Sequence, residues 1–141
     1  MEIPINVLEI DQMGYHLVIG LKINNLKANA LIDTGASRTV IDLNRLKHYN
    51  ESPNTRAYDK SCTGVGAGQI KSFVTTLQTV VVGEITLQNL DVVAIDLANI
   101  NHNYALFDLP RIDMVIGSDL LLKFDAVINY AAKTLSLKNP V

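Results

Sequence analysis

The sequence has no tryptophan, a single cysteine and only four prolines in 141 residues. With Cys62 alone, an internal disulfide and a multi-cysteine zinc site are both excluded. The three histidines, His16, His48 and His102, share no metal-ligand spacing and are expected to be ordinary surface or half-buried residues. No metal and no cofactor is expected. Charge of one sign is also missing. Twelve basic residues face fourteen acidic ones, for a net charge of −2, so the Lys/Arg excess of a nucleic-acid surface is absent. No apolar run approaches the roughly 20 residues that span a bilayer. Residues 1–11 (MEIPINVLEID) lack the basic start and apolar stretch of a signal peptide, so the expectation is a reducing, cytoplasmic setting. What is present is apolar: 48% of the residues are hydrophobic, which excludes disorder and suits one compact domain over 1–141.

The patterning is mostly β. Residues 15–23 (YHLVIGLKI) alternate and are rich in β-branched side chains, and 26–32 (LKANALI) follow the turn pair Asn24-Asn25. This hairpin delivers the chain to Asp33-Thr34-Gly35-Ala36-Ser37. A short extended piece, 39–41, precedes a helical turn near Asp42, with Leu43, Leu46 and Tyr49 on one face. The polar stretch 50–57 with Pro53 reads as a surface loop. Strand-like runs 58–63 and 69–82 flank Gly64-Val65-Gly66-Ala67-Gly68, whose three glycines in five residues suggest a long, mobile hairpin tip. A second hairpin uses 77–82, a turn at Gly83-Glu84, and strands 85–87 and 92–95. Residues 99–108 read as a loop anchored by Tyr104, Leu106 and Phe107. Met114-Val115-Ile116 is a short buried strand, 117–124 has helical periodicity, and 126–130 and 134–137 are strands around a turn. A hairpin, an apolar pair, a glycine turn and a short helix thus occur twice, at Leu31-Ile32-Asp33-Thr34-Gly35 and at Val115-Ile116-Gly117. Two similar halves sharing one core are expected, with the acid in the first only.

Asp33-Thr34-Gly35 is the candidate for chemistry. A given tripeptide arises by chance in about 3% of chains of this length, and Asp and Gly are common where strands end in turns. Context makes the motif specific: an apolar strand end before it, small residues after it, a glycine-tipped hairpin, and a later apolar-apolar-Gly turn.

These residues resemble the retropepsin-like aspartic proteases, single-domain relatives of the retroviral proteases. The likeness extends over roughly 15–137. Leu31-Ile32-Asp33-Thr34-Gly35-Ala36-Ser37 resembles the catalytic loop, 63–70 the flap, residues 113–121 (DMVIGSDLL) the second signature, and 126–137 the closing strand pair. The resemblance implies a closed β-barrel of the acid protease fold, with one or two short helices and a flap hairpin. It implies an aspartic endopeptidase of extended peptide or protein substrates, active as a homodimer. Asp33, Thr34 and Gly35 would be catalytic. Ala36, Ser37, Gly64, Val65, Gly66, Ala67 and Gly68 would bind substrate, and Val115, Ile116 and Gly117 would form the structural turn of the second half.

The chemistry explains the need for two chains. Two carboxylates about 3 Å apart cannot both ionise, so they share a proton. The ionised member takes a proton from water while the other donates to the scissile carbonyl. One chain carries one such loop, so a two-fold dimer would bring two Asp33 carboxylates to the axis. Thr34 would bond across that axis, Gly35 would allow close backbone approach, and Ala36, with no hydroxyl, would favour a less acidic working pH. Two departures stand out. Ser37 and Ser118 replace the acid and arginine with which retroviral members form an ion pair, so the dimer must be held otherwise, and the loop 99–111 is longer than a minimal retroviral protease would carry. Plain structural roles are expected elsewhere: Cys62 as an inert thiol, Asp113 and Asp119 as helix caps or backbone acceptors. Two alternatives stay open: a binding or dimerisation module of the same fold without significant proteolysis, and an unrelated small barrel with a chance D-T-G.

Overall fold

The computed structural model describes residues 1–12, 14–58 and 72–139. Two short strands, β1 (Glu2–Pro4) and β2 (Asn6–Ile10), precede the hairpin of β3 (Gly14–Ile23) and β4 (Leu26–Ile32). Then β5 (Val40–Asp42) runs through a 3-10 turn, Leu43–Arg45, into one turn of helix, α1 (Leu46–Tyr49). The short strand β6 (Thr55–Ala57) is followed by a second hairpin, β7 (Phe73–Val82) and β8 (Ile85–Ile95). After α2 (Ala98–Leu106) come β9 (Met114–Ile116), α3 (Ser118–Lys123) and a last hairpin, β10 (Val127–Asn129) and β11 (Thr134–Ser136).

Six strands close into a ring. β3 pairs antiparallel with β4, β4 parallel with β9, β9 antiparallel with β5, β5 parallel with β8, and β8 antiparallel with β7. The ring shuts where β7 returns to β3 through Lys22↔Val81 and Ile23↔Val80. Asn24 and Asn25 explain why it shuts there. Both take positive φ, 48° and 68°, as a two-residue hairpin turn requires if it is to match strand twist. The turn is also tied to β7: Asn24 N donates to Thr79 O, and Asn24 Oδ1 accepts from Thr79 N.

The strand order is unchanged when β3 is exchanged with β7, β4 with β8 and β5 with β9. Each half is therefore a hairpin plus a third strand, and that third strand pairs in parallel with the other half's hairpin. This is the two-half arrangement expected from the repeated pattern. Ile19, Ile23, Ala30, Ile41, Val80, Ala94 and Met114 belong to the main core. The opposite faces of the same strands, Val18, Val40, Val93 and Val115, pack with Leu97, Tyr104 and Ile112 in a second cluster. Burial on both faces is why β9 reads as an unbroken apolar run.

Several expectations need correction. Residues 99–108 are not a loop: 98–106 form α2, which brings the α-helices among the described residues to three. Of the three supposed anchors, Tyr104 is buried while Leu106 and Phe107 are exposed. This helix is seated by polar groups: Asn101 Nδ2 donates to Ile112 O and Asn101 Oδ1 accepts from Ile112 N. It therefore lacks the apolar periodicity that advertises a helix. Strand β8 is continuous through 85–95, with Asn89 absorbing a kink at φ 52°. The stretch 50–57 contains β6, and β1 and β2 were not anticipated; β1 joins β11 and β10 in a separate three-stranded sheet. Cys62 and the glycine-rich tract 64–68 lie outside the described residues. Among the described residues no helix is long and apolar enough to cross a membrane.

Candidate active site

Asp33 leaves the end of β4, where Asp33 N donates to Ile116 O (3.0 Å) and so prolongs the β4–β9 pairing by one residue. The chain then turns sharply: Ala36 N donates to Asp33 O (3.2 Å), and Gly35 N donates to Asp33 Oδ1 (3.0 Å). Gly35 serves close approach, since a Cβ there would stand 3.3 Å from that carboxylate oxygen. Asp33, Thr34 and Gly35 are exposed, Ala36 is half-buried and Ser37 is exposed. The Asp33 carboxylate thus belongs to an exposed residue on a loop whose backbone is fixed, with one oxygen taken by Gly35 N.

The second-half turn forms the floor beneath this loop. Ser118 N donates to Ala36 O (2.8 Å), and Gly117 N donates to Thr39 Oγ1 (3.1 Å). Thr39 Oγ1 in turn donates to Asp119 Oδ1 (2.7 Å), while Asp119 Oδ2 accepts from Thr39 N (3.0 Å). A Cβ on Gly117 would lie 2.7–2.8 Å from the backbone of Ala36 and Arg38, so only glycine fits without moving the loop. Val115, Ile116 and Gly117 therefore sit where the turn of the second half was expected, against the Asp33 loop. Asp119 is the backbone acceptor it was expected to be. Thr39, 1% exposed and bonded on both sides, was not singled out from sequence; an isolated Thr after an arginine carries no pattern that would reveal it.

Asp113, just before β9, is also an acceptor. Its Oδ2 takes Asn29 N (3.0 Å) and its Oδ1 takes Arg45 Nε (2.9 Å), fastening the strand to β4 and to the turn before α1. Burial alone would lower the Arg45 pKa, but the hydrogen bond and charge of Asp113 outweigh it and the pKa rises. Asp42, likewise unforeseen, is fully buried and accepts Asn44 N, Leu97 N and the Asn101 amide, joining β5 to α2. These carboxylates hold the barrel end together. Among the described residues no group of three or more His, Cys, Asp or Glu is placed to hold a metal.

Beside the loop, Thr34 shares a shallow depression with Ser118, Leu121, Leu122, Asp125 and Ala126. Leu122 is 80% exposed there, and Val127 on the edge strand β10 is exposed too.

The sequence pattern of the aspartyl proteases matches residues 19–120, which include the Asp33 loop and the Gly117 turn. The chain belongs to the aspartyl protease family. Its fold is retropepsin-like. A retropepsin-like aspartic protease from Rickettsia conorii superposes with a TM-score of 0.61 at 19% identity, over 96% of this chain and 86% of that one. The EIAV protease in complex with the inhibitor HBY-793 gives 0.57 at 18%, over 82% and 93%. The retroviral protease-like domain of Ddi1 from Leishmania major gives 0.57 at 15%, over 89% and 90%. No curated protein sequence gives a significant match. The retropepsin-like barrel places Asp33 and the Gly117 turn in contact although 80-odd residues separate them in sequence, and Ser118 meets Ala36 through its backbone.

Proposed function

We propose that this member of the aspartyl protease family is an endopeptidase that works as a homodimer, with Asp33 of each subunit forming one catalytic pair. The observation that carries this is the Asp33 carboxylate itself: exposed, on a backbone held by Ile116 and Ala36, with one oxygen accepting Gly35 N and no ion-pair partner among the described residues. The turn uses one carboxylate oxygen as an acceptor for Gly35 N, and an exposed carboxylate of this kind is what two chains would need to share a proton between two such groups.

In the paired site one carboxylate accepts a proton from a water, whose oxygen attacks the scissile carbonyl carbon. The protonated carboxyl gives its hydrogen to the carbonyl oxygen, and a proton then passes to the leaving amine as the C–N bond breaks. The pair titrates as a unit, so its apparent pKa values belong to neither residue. Thr34 would bond to the opposite loop across the axis. The exposed Leu122 and Val127 beside it supply apolar surface for the second copy, in place of the ion pair that Ser37 and Ser118 cannot form. Ala36, Ser37 and the tract Gly64, Val65, Gly66, Ala67 and Gly68 would line the substrate strand, the tract adding backbone hydrogen bonds as a flap.

Incubation with a peptide library tests this directly. Wild type should cleave, a pepstatin-like inhibitor should reduce cleavage, and Asp33→Asn should abolish it while leaving the fold unchanged. If wild type and Asp33→Asn behave alike, the endopeptidase assignment is wrong and the protein is a binding or dimerisation module. Activity retained by a strict monomer in sedimentation would sink the shared pair.

A further inference from the structure

A recess lies away from the Asp33 loop, between α2 and the turn that follows β5. Its volume, about 550 Å³, falls within the roughly 300–1,000 Å³ of small-molecule sites. Asp42 lines it from the end of β5, where Asp42 N donates to Asp113 O (2.8 Å). Asp33 N bonds Ile116 O at the other end of β9, so about 10 Å of strand separates the recess from the acid loop.

The two Asp42 carboxylate oxygens are unequal. Oδ1 accepts Asn44 N (3.1 Å), Asn44 Nδ2 (3.0 Å) and Leu97 N (3.2 Å). Among the described residues Oδ2 meets only Asn101 Nδ2 at 3.4 Å and Arg111 Nη2 at 3.5 Å, both longer than an ordinary N–H···O bond. The Asn101 amide is committed elsewhere, donating to Ile112 O at 2.9 Å. The Asp42 side chain is 1% exposed, and a buried charge is costly unless it is closely paired. Arg111 is the movable partner. Its carbonyl accepts Asn29 Nδ2, which ties the backbone down, while its side chain is 49% exposed. The recess therefore ends in a long ion pair with one member fixed and the other able to swing outward.

We propose that this recess binds a free α-amino acid with an apolar side chain. The ligand's ammonium enters the Asp42–Arg111 pair and donates to Asp42 Oδ2, and its carboxylate takes the displaced Arg111 guanidinium in a charge-assisted bond. A lone cation would strip Arg111 of its partner, and a lone anion would leave Asp42 Oδ2 as it is. A ligand with both charges gains on both sides. The two protein atoms are 3.5 Å apart, which calls for an ammonium and a carboxylate on one carbon instead of at the two ends of a peptide. Ala98, Ala105 and Leu109 complete the wall, and these apolar side chains suit an aliphatic one. Binding here is independent of the endopeptidase assignment, and the recess shares no residue with the Asp33 loop.

Two-dimensional amide NMR spectra of the intact protein, titrated with L-leucine to about 10 mM, test this. Leucine should shift the resonances of Leu97, Ala98 and the Asn101 side-chain amide and leave those of Gly35 and Ala36 in place. Leucinamide, which lacks the carboxylate, and N-acetyl-leucine, which lacks the ammonium, should each bind at least about tenfold more weakly, the size of one charged hydrogen bond. The dipeptide leucyl-leucine should behave like them. Asp42→Asn would also disturb the bonds to Asn44 and Leu97, so Arg111→Gln and Ala105→Phe carry the test; both change exposed residues and should keep the fold. Arg111→Gln should weaken leucine about tenfold and erase its advantage over leucinamide, and Ala105→Phe should block the recess. Unchanged spectra, shifts located elsewhere, any of the three analogues binding as well as leucine, or binding that survives both variants overturns the proposal.

Discussion

A methyl group on Gly117 would stand 2.7 Å from the Arg38 carbonyl carbon and 2.8 Å from the Ala36 and Arg38 oxygens. Those neighbours are backbone, so they yield only if the Asp33 loop shifts. Gly117→Ala should therefore cost about 1–3 kcal/mol of stability, the usual size of overpacking in a filled site. Peptide cleavage should fall further than the loss of folded protein explains. Thermal unfolding and kcat/KM measured together check this, and a variant as stable and active as wild type would refute it. The residue scale also shows what the sequence disclosed. Asp33, Gly35 and Gly117 stood out because each lies in a short pattern. Thr39, Asp42 and Arg45 did not, because their roles depend on partners far along the chain: Asp119, Leu97 and Asp113.

At the scale of elements, α2 is the instructive case. It covers Val40, Val93 and Val115 on the outside of the barrel, yet only Tyr104 within it is buried. Tyr104 meets the ring of His16 on β3, and burial pushes its phenol from 10.0 up to about 12. The folded protein thus keeps this proton between pH 10 and 12 while the unfolded chain releases it. The stability it contributes is complete below pH 10 and is lost as pH rises through about 12. Tyr49, raised to about 12 chiefly by burial, acts in the same direction. In Tyr104→Phe the decline in unfolding free energy between pH 9 and pH 11.5 should be shallower, with the Tyr49 part remaining. Denaturant titrations at both pH values measure it, and an unchanged slope would refute the assignment. The β3–β4 hairpin was legible because Asn24-Asn25 is a turn signal between alternating strands. The helix α2 was not, since asparagine hydrogen bonds seat it where apolar periodicity usually does.

For the whole molecule, self-association is the property on which the proposed function turns. Leu122, exposed beside Thr34, lies where a second copy is proposed to dock. Leu122→Asp should weaken self-association at least tenfold, as loss of a central apolar anchor does. Cleavage should fall in parallel, and the unfolding of the separated chain should be unchanged. Sedimentation velocity across a concentration series measures this, and a variant that associates like wild type would move the interface elsewhere. The two related halves were readable from repeated pattern and the closed barrel was implied by the family resemblance, whereas which strands are neighbours was in neither, because pairing is set by contacts between distant segments. The strand order has a consequence for how the protein comes to exist. β4 and β5, which frame the acid loop, are held apart by β9, so Ile32 lacks its strand partner on that side until Ile116 has been made. A chain emerging from the ribosome displays Asp33 early but lacks the floor that shapes its loop until most of its length is available. Order of synthesis thus acts as a timer, withholding the acid loop's folded shape from the nascent chain until the second half has joined the first.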